Sequence, residues 1–134
     1  MKEKIYAMIP ARIGSTRLRF KNLALINNKP MIYYSINTAK KSRIFDKIIV
    51  NSDHKIFKKI ANRYKVDFYQ RPKKLGSSRT KSDDVVADFM TSFPEASTVV
   101  WVNSVSPFQT IDEIKKTISF FNKKKFGFFD NNRK

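Results

Sequence analysis

The chain has no cysteine, a single histidine, His54, and 11 carboxylates against 28 lysines and arginines in 134 residues. Without cysteine there are no disulfides and no thiolate metal sites. One histidine excludes a multi-histidine metal centre. No apolar run approaches the length that crosses a membrane. The opening Met1-Lys2-Glu3-Lys4, followed by a short apolar strand, does not read as a secretory leader, so a cytoplasmic protein is expected. No internal repeat and no low-complexity linker is present. A length of 134 residues suffices for one domain with a proper core, and a hydrophobic content of 41% marks a globular chain. The shortage of acid leaves a net charge of +17. Nucleic acid is one physical reason for such a charge. A field that concentrates anionic nucleotides and acidic sugars is another. Lysines spread over the predicted helices read as solvated faces.

What is present is an alternation of apolar segments. Ile5 to Ile9 reads as a buried strand. Asn27-Asn28-Lys29-Pro30 is a turn, and Pro30 suits a helix start. Ile32, Ile36 and Ala39 then share one helical face, and that helix ends near Lys41-Ser42. Lys47 to Asn51 is a second buried strand. Ser52 or Asp53 can cap the next helix, in which Ile56, Ile60 and Tyr64 align. Val66 to Tyr69 is a third strand, and Gln70 to Lys81 is a basic loop. Ser82 caps a helix through Met90, with Asp83 and Asp84 in its first turn where the dipole favours them. Thr98 to Val102 is the best candidate for a central strand. Thr110 and Glu113 form a capping box before Ile111, Ile114 and Ile118. Lys123-Lys124-Lys125 opens a basic tail, and Phe126 to Phe129 reads equally as one more strand or a frayed end. The βαβαβαβα order predicts an α/β domain with a mainly parallel sheet and right-handed crossovers.

The stretch around which the chain is organised lies between the first strand and the first helix. It reads Ile9-Pro10-Ala11-Arg12-Ile13-Gly14-Ser15-Thr16-Arg17-Leu18-Arg19-Phe20-Lys21-Asn22-Leu23. It holds one glycine, two small hydroxyl residues and four cations. Open α/β sheets bind ligands in loops at the carboxyl ends of their strands. Backbone N–H groups of such a loop can surround phosphate oxygens, and Arg12, Arg17, Arg19 and Lys21 can neutralise them. The physical reading is a polyphosphate cradle. The spacing matches neither G-x-x-x-x-G-K-[ST] nor G-x-G-x-x-G.

The string IPAR-x-GS-x-R-x-x-x-KNL resembles the N-terminal signature of the sugar-acid cytidylyltransferases, specifically the acylneuraminate cytidylyltransferases. The resemblance implies a Rossmann-like three-layer α/β/α fold of the nucleotide-diphospho-sugar transferase type. It implies that this loop, with Ala11, Arg12, Gly14, Ser15, Arg17, Lys21 and Asn22, holds the triphosphate of CTP. The segment Arg71-Pro72-Lys73-Lys74-Leu75-Gly76-Ser77-Ser78 looks like the family's R-P-x-x-L-(A/S), which makes Arg71 and Ser82 candidate cytidine contacts. On the residues alone, Arg71 can equally cover a sheet edge and Ser82 simply cap a helix. The family usually carries an acid where Lys74 stands and another near Ser78. Asn103-Ser104-Val105-Ser106-Pro107-Phe108-Gln109-Thr110 looks like the family's Q-P-T-S-P-L-R-T, matching at Ser106, Pro107 and Thr110. It places Asn103 and Ser106 on the sugar side, with Asn103 one methylene shorter than the family's glutamine. Asp53, Asp83 and Asp84 read better as helix-terminus residues than as metal ligands. Trp101 reads as core.

The resemblance implies transfer of CMP from CTP to a nine-carbon 2-keto sugar acid, with Arg12 and Lys21 carrying the charge of departing pyrophosphate. It also implies magnesium, for which no protein ligand is identified. Lys21-Asn22-Leu23 and Ser106-Pro107 favour the neuraminate type over the 3-deoxy-manno-octulosonate type, while pseudaminate and legionaminate enzymes share the motifs. A non-catalytic nucleotide- or nucleic-acid-binding module is the competing class. It ranks lower because the aromatics fall at core-like positions. The domain is expected over residues 1–122, with 123–134 a basic tail or partial strand. Family members are nearly twice as long and form homodimers. The expectation is therefore a C-terminally truncated half-fold that lacks the dimerisation segment and the magnesium carboxylates and is inactive alone.

Overall fold

A computed structural model describes residues 3–11, 25–26, 28–76, 82–103 and 119–122. The elements in chain order are β1 (Ile5–Ala11), β2 (Leu25–Ile26), β3 (Lys29–Pro30), α1 (Met31–Ser42), β4 (Lys47–Ser52), α2 (Ile56–Arg63), β5 (Asp67–Gln70), α3 (Ser82–Ser92), β6 (Thr98–Trp101) and β7 (Ser119–Asn122). Five strands form one sheet in the order β5-β4-β1-β6-β7. The pairs β1/β4, β1/β6 and β4/β5 are parallel, and β6/β7 is antiparallel. The expected α/β fold with a mainly parallel sheet is what forms.

β1 sits at the centre because it is apolar on both faces. Tyr6 and Met8 point into a core with Ile49, Val86, Phe89 and Val99, beneath α3. Ala7, Ile9 and Ala11 point into a second core with Ile32, Ile36, Val50 and Phe57, beneath α1 and α2. The helices thus lie on both faces, as right-handed crossovers to opposite sides of β1 require. The N-terminal edge is pinned by short bonds. Ile5 N donates to Asp46 Oδ2 at 2.7 Å, Asp46 N to the Ile5 carbonyl at 2.8 Å, and Ser97 N to the Lys4 carbonyl at 2.9 Å.

The structure adds detail to three local readings. The turn before α1 is a small antiparallel ladder, Leu25–Ile26 against Lys29–Pro30, with Asn28 in the left-handed region at φ 67°. The inward face of α2 centres on Phe57 and Ala61, with Ile56, Ile60 and Tyr64 flanking it half-buried. The i, i+4 pattern of three apolar residues was real, but Phe57 buries more surface and takes the centre. Ser119–Asn122 is an antiparallel strand that no periodicity indicated. The helix expected after Thr110, Phe126 to Phe129 and the basic tail lie outside the described residues.

α2 ends in a Schellman motif. Val66 N bonds the Ala61 carbonyl at 2.9 Å and Lys65 N the Asn62 carbonyl at 3.2 Å, with Lys65 at φ 61°. Half-buried Val66 packs on the same core as Ala61. Only glycine adopts this conformation without a Cβ penalty. Lys65→Gly is expected to raise stability by about 0.5–1 kcal/mol, read as a higher urea midpoint at unchanged slope.

Two phenols fasten α3 and the turn after it to the sheet. Tyr69 Oη donates to Asp88 Oδ2 at 2.8 Å and accepts from Ser92 Oγ at 2.9 Å. Burial raises the Tyr69 pKa, against the Ser92 bond that lowers it and with the Asp88 bond that raises it. Tyr6, 2% exposed, donates through Oη to Glu95 Oε2 at 2.8 Å. Burial, then the Glu95 carboxylate, pushes the Tyr6 phenol up from 10.0 to about 12. Folding therefore favours the protonated phenol. Its contribution is whole below pH 10 and is lost as pH rises towards about 12. Between those limits the native chain should lose stability more steeply than Tyr6→Phe, so the two urea midpoints converge. A gap that stays constant with pH would refute the coupling.

Candidate functional site

The parallel strands end together. Ala11 of β1 lies beside Ser52 of β4, and Ser52 beside Gln70 of β5. The chain runs from β1 to β4 and β5 on one side, then returns to β6 on the other. The order reverses at β1, so the crevice between the carboxyl ends of β1 and β6 is the topological switch point, where such sheets bind ligands. Pro10 helps to open it. The Met8 carbonyl accepts from Val102 N at 2.9 Å, so Met8 faces β6, and Pro10, two residues on, shares that edge. Proline has no N–H to extend the ladder. The paired residues of β1 and β6 accordingly stop at Met8 and Trp101.

The cradle leaves from this point. Ala11 is buried at the end of β1, and the chain re-enters the described residues at Leu25. Arg12, Gly14, Ser15, Arg17, Lys21 and Asn22 lie outside the described residues, as does Ser106 of the third loop. β1, which precedes the first of them, is the central strand of the sheet.

Arg71 is the best-defined member of the site. It follows β5 directly and is 4% exposed. Its backbone N bonds the Ser52 carbonyl at 2.9 Å. Its Nη1 donates to the Asn51 carbonyl and its Nη2 to the Ala11 carbonyl, both at 3.3 Å. One side chain thus ties together the carboxyl ends of β5, β4 and β1. The carbonyls of strand ends have no further ladder partner, and a planar guanidinium presents donors in a fork that reaches two of them. Of the two sequence readings of Arg71, the structure supplies the contacts for covering the sheet edge. Its role towards a ligand rests on the resemblance.

Beside it lies Asn51, fully buried in β4. Its Nδ2 donates to Met8 Sδ at 3.2 Å, a weak acceptor, and its Oδ1 has no partner among the described residues. A buried amide oxygen left so costs about 1–3 kcal/mol. Sequence reading passed over Asn51, although a polar residue closing the apolar run Ile48-Ile49-Val50 was the signal. It also passed over Ser35, which stands between Ile32 and Ile36 on the apolar face of α1. Ser35 Oγ donates to the Asn103 carbonyl at 2.6 Å and so anchors the start of the third loop to α1. Asn103 itself is half-buried two residues beyond β6.

The remaining candidates fall where local chemistry puts them. Ser82 opens α3, and Asp83 and Asp84 occupy its first turn. Ser52 Oγ accepts from His54 N at 3.1 Å, and His54 Nδ1 accepts from Ile56 N at 3.0 Å. Ser52 and His54 thus receive backbone donors ahead of α2, and exposed His54 has a partner that its sequence did not reveal. Trp101 is half-buried against the α3-side core.

A sequence profile described as Cytidylyltransferase matches residues 6–133. The chain belongs to the cytidylyltransferase family. It is 31% identical over 121 residues to the N-acylneuraminate cytidylyltransferase of Escherichia coli O18:K1:H7, covering 90% of this chain and 29% of that one. It is 29% identical over 120 residues to the CMP-N,N'-diacetyllegionaminic acid synthase of Legionella pneumophila, covering 86% of this chain and 52% of the relative. Among solved structures, a CMP:2-keto-3-deoxy-manno-octonic acid synthetase complexed with CTP superposes with a TM-score of 0.72 at 21% identity, over 85% of this chain and 45% of the other. A cytidylyltransferase from Leptospira borgpetersenii superposes with a TM-score of 0.74 at 15% identity, over 97% and 65%. This chain therefore has the fold of those cytidylyltransferases, and it spans between about a quarter and a half of the length of the two curated relatives.

The Arg71 clamp is open to test by substitution. Each of its hydrogen bonds is charge-assisted and worth roughly 1.5–3 kcal/mol when its loss strands a buried carbonyl. Arg71→Ala should lower stability by at least that much. Arg71→Lys should recover only part, because one ammonium does not span Ala11 and Asn51 as a fork does. Full recovery by lysine in chemical denaturation would show that only the charge matters.

Proposed function

We propose that this chain forms the CTP-binding part of a cytidylyltransferase that passes CMP from CTP to a nine-carbon 2-keto sugar acid, releasing pyrophosphate. The observation that carries the reading is the position of the cradle string. Arg12 to Asn22 follows directly on the central strand at the switch point of the sheet, in a chain of this family. The nucleotide-binding unit is residues 1–122.

In this reading the backbone of the loop from Ala11 to Ser15 surrounds the phosphates, with Gly14 allowing the close approach. Arg12 and Lys21, with Arg17, meet the triphosphate charge, and Asn22 bonds a phosphate oxygen. Arg71 and Ser82 face the cytidine, and Arg71 also holds the Ala11 carbonyl at the root of the cradle. Asn103 and Ser106 lie between nucleotide and sugar, with Asn103 steadied by the Ser35 bond to its carbonyl. The sugar's anomeric hydroxyl attacks the α-phosphorus, the bond to the β-phosphate oxygen breaks, and pyrophosphate leaves. Such transfers depend on in-line positioning and on neutralising charge, so no protein nucleophile is required. For the magnesium that the resemblance implies, the described residues offer no group of three histidines or carboxylates, and no step here is routed through it.

The sugar is a proposal of the same rank. N-acylneuraminate cytidylyltransferases among the relatives favour an N-acetylneuraminate-like acid. The Legionella and Helicobacter pylori relatives carry legionaminic and pseudaminic acid in their names, and both acids belong in the same assay.

The test separates triphosphate from base. Lys21→Ala should weaken CTP binding about ten- to a hundred-fold and leave cytidine binding nearly unchanged, because only the triphosphate meets the cation. Titration calorimetry with both ligands reads this directly. Equal loss for CTP and cytidine would remove Lys21 from the cradle. Pyrophosphate release from CTP with each nine-carbon acid then tests the transfer itself.

A further inference from the structure

The charge of the helical layers is sorted by face. Residues 28–45, which contain α1, hold Lys29, Lys40, Lys41 and Arg43 and no carboxylate. Residues 54–66, which contain α2, hold Lys55, Lys58, Lys59, Arg63 and Lys65, again with no carboxylate. All nine side chains are exposed. Among the described residues, α3 and the turn after it on the opposite face are the reverse: residues 82–96 hold Asp83, Asp84, Asp88 and Glu95 and no lysine or arginine. Drift towards lysine would load both layers alike, so the even spread expected from sequence does not hold.

Aromatic rings lie among the cations. The half-buried Tyr33 ring is 4.8 Å from that of Tyr64 and 5.1 Å from that of Tyr34, which joins α1 to the end of α2. The Lys29 ammonium stands 4.8 Å over Tyr33, and the Arg63 guanidinium 5.7 Å over Tyr64. Lys40 Nζ donates to the Tyr64 carbonyl at 2.9 Å. Tyr33, Tyr34 and Tyr64 are half-buried, and Tyr64 also packs against the α1/α2 core.

We propose that the α1/α2 face binds single-stranded nucleic acid, with Tyr33 and Tyr64 as stacking rings and the surrounding lysines and Arg63 on phosphates. Cations alone would attract any polyanion. Rings with cations beside them are what single-strand binding adds, since every base offers a π-face. A protein partner would find little apolar surface among the described residues of this face, because Ile32, Ile36 and Phe57 are turned into the core and only Ile44, with Leu25 before β3, is a large apolar side chain left exposed. Two separate apolar side chains are fewer anchors than an amphipathic membrane-binding face carries. On binding, a base stacks on a ring, and the cation now over that ring passes to a neighbouring phosphate. The inference is independent of the CTP reading, because it uses none of the cradle residues.

Fluorescence anisotropy with a labelled single-stranded oligonucleotide of about 20 nucleotides, longer than a typical single site, tests it. Binding should weaken about fifty-fold between roughly 50 and 200 mM salt if four phosphates are neutralised. Lys58→Glu/Lys59→Glu should weaken binding at least about tenfold. Lys4→Glu/Lys47→Glu makes the same change of charge away from this face, with Lys47 lying over Tyr6 on the α3 side, and should matter far less. Tyr33→Leu and Tyr64→Leu keep apolar packing but lose stacking, and each should cost about fivefold or more. Excess CTP should leave the oligonucleotide bound. Equal effects of the two charge reversals would overturn the proposal in favour of net charge alone. Displacement by CTP would reassign the binding to the nucleotide site. Equal affinity for phosphatidylserine vesicles, or silent tyrosine variants that remain folded by circular dichroism, would also overturn it.

Discussion

The structure depends on one strand having neighbours on both edges and helices on both faces. β1 is paired with β4 and β6 and buried between two cores. Its seven residues are fixed by side-chain alternation: a slip of one would move Tyr6 and Met8 into the core that Ala7 and Ile9 now fill. Those two pairs differ greatly in volume, and packed cores do not absorb such exchanges. The position of Ala11, and with it the root of the cradle, follows from that register. A ligand-binding loop gains its precision from the strand beneath it.

Strand ends are also where a parallel sheet is weakest, because the ladder stops and carbonyls face outward. Arg71 addresses this by placing one guanidinium against the Ala11 and Asn51 carbonyls while its own N–H bonds the Ser52 carbonyl. Pro10 works in the opposite sense on the other edge of β1, where its missing N–H lets the ladder with β6 lapse after Met8 and Trp101. The two residues together close the sheet on the β4 side of the central strand and open it on the β6 side. The β1/β6 ladder thus ends before the β1/β4 ladder does, at the switch point that the strand order locates.

The order of elements was legible because buried parallel strands read as unbroken apolar runs and the helices between them carry a 3.6-residue period. Ile32, Ile36 and Ala39 appear on the buried face of α1 as their spacing indicated. β7 was not legible, since an antiparallel partner at the sheet edge is chosen by tertiary pairing and Ser119–Asn122 carries no strict alternation. The site was legible as a string, IPAR to KNL, and illegible as a set of contacts. Nothing in the sequence of Arg71 shows that it spans two strand ends, because those carbonyls belong to residues 20 and 60 positions away. Asn51 and Ser35 were visible as polar residues in apolar company, and only geometry gives each a meaning.

Charge sorting adds a constraint of its own. The acids of residues 82–96 are not idle on their face: Asp88 and Glu95 accept the hydroxyls of Tyr69 and Tyr6, which hold α3 to the sheet. Carboxylates are thus retained where a phenol needs a strong acceptor. In α1 and α2 the docking is mainly apolar, through Ile32, Ile36, Phe57 and Ala61, and the cation that takes part, Lys40, donates to the Tyr64 carbonyl and needs no carboxylate. That leaves the α1/α2 face free of structural demand for acid, and its charge is uniformly positive. An anionic ligand approaching the strand ends meets this basic layer on one side of the sheet, while the acidic residues 82–96 lie on the other. The asymmetry steers an anionic ligand by orientation as well as by net attraction, and it fades with salt over about 8–10 Å at physiological ionic strength. The same exposed cations are distributed along two helices, as a face that meets a longer polyanion would need.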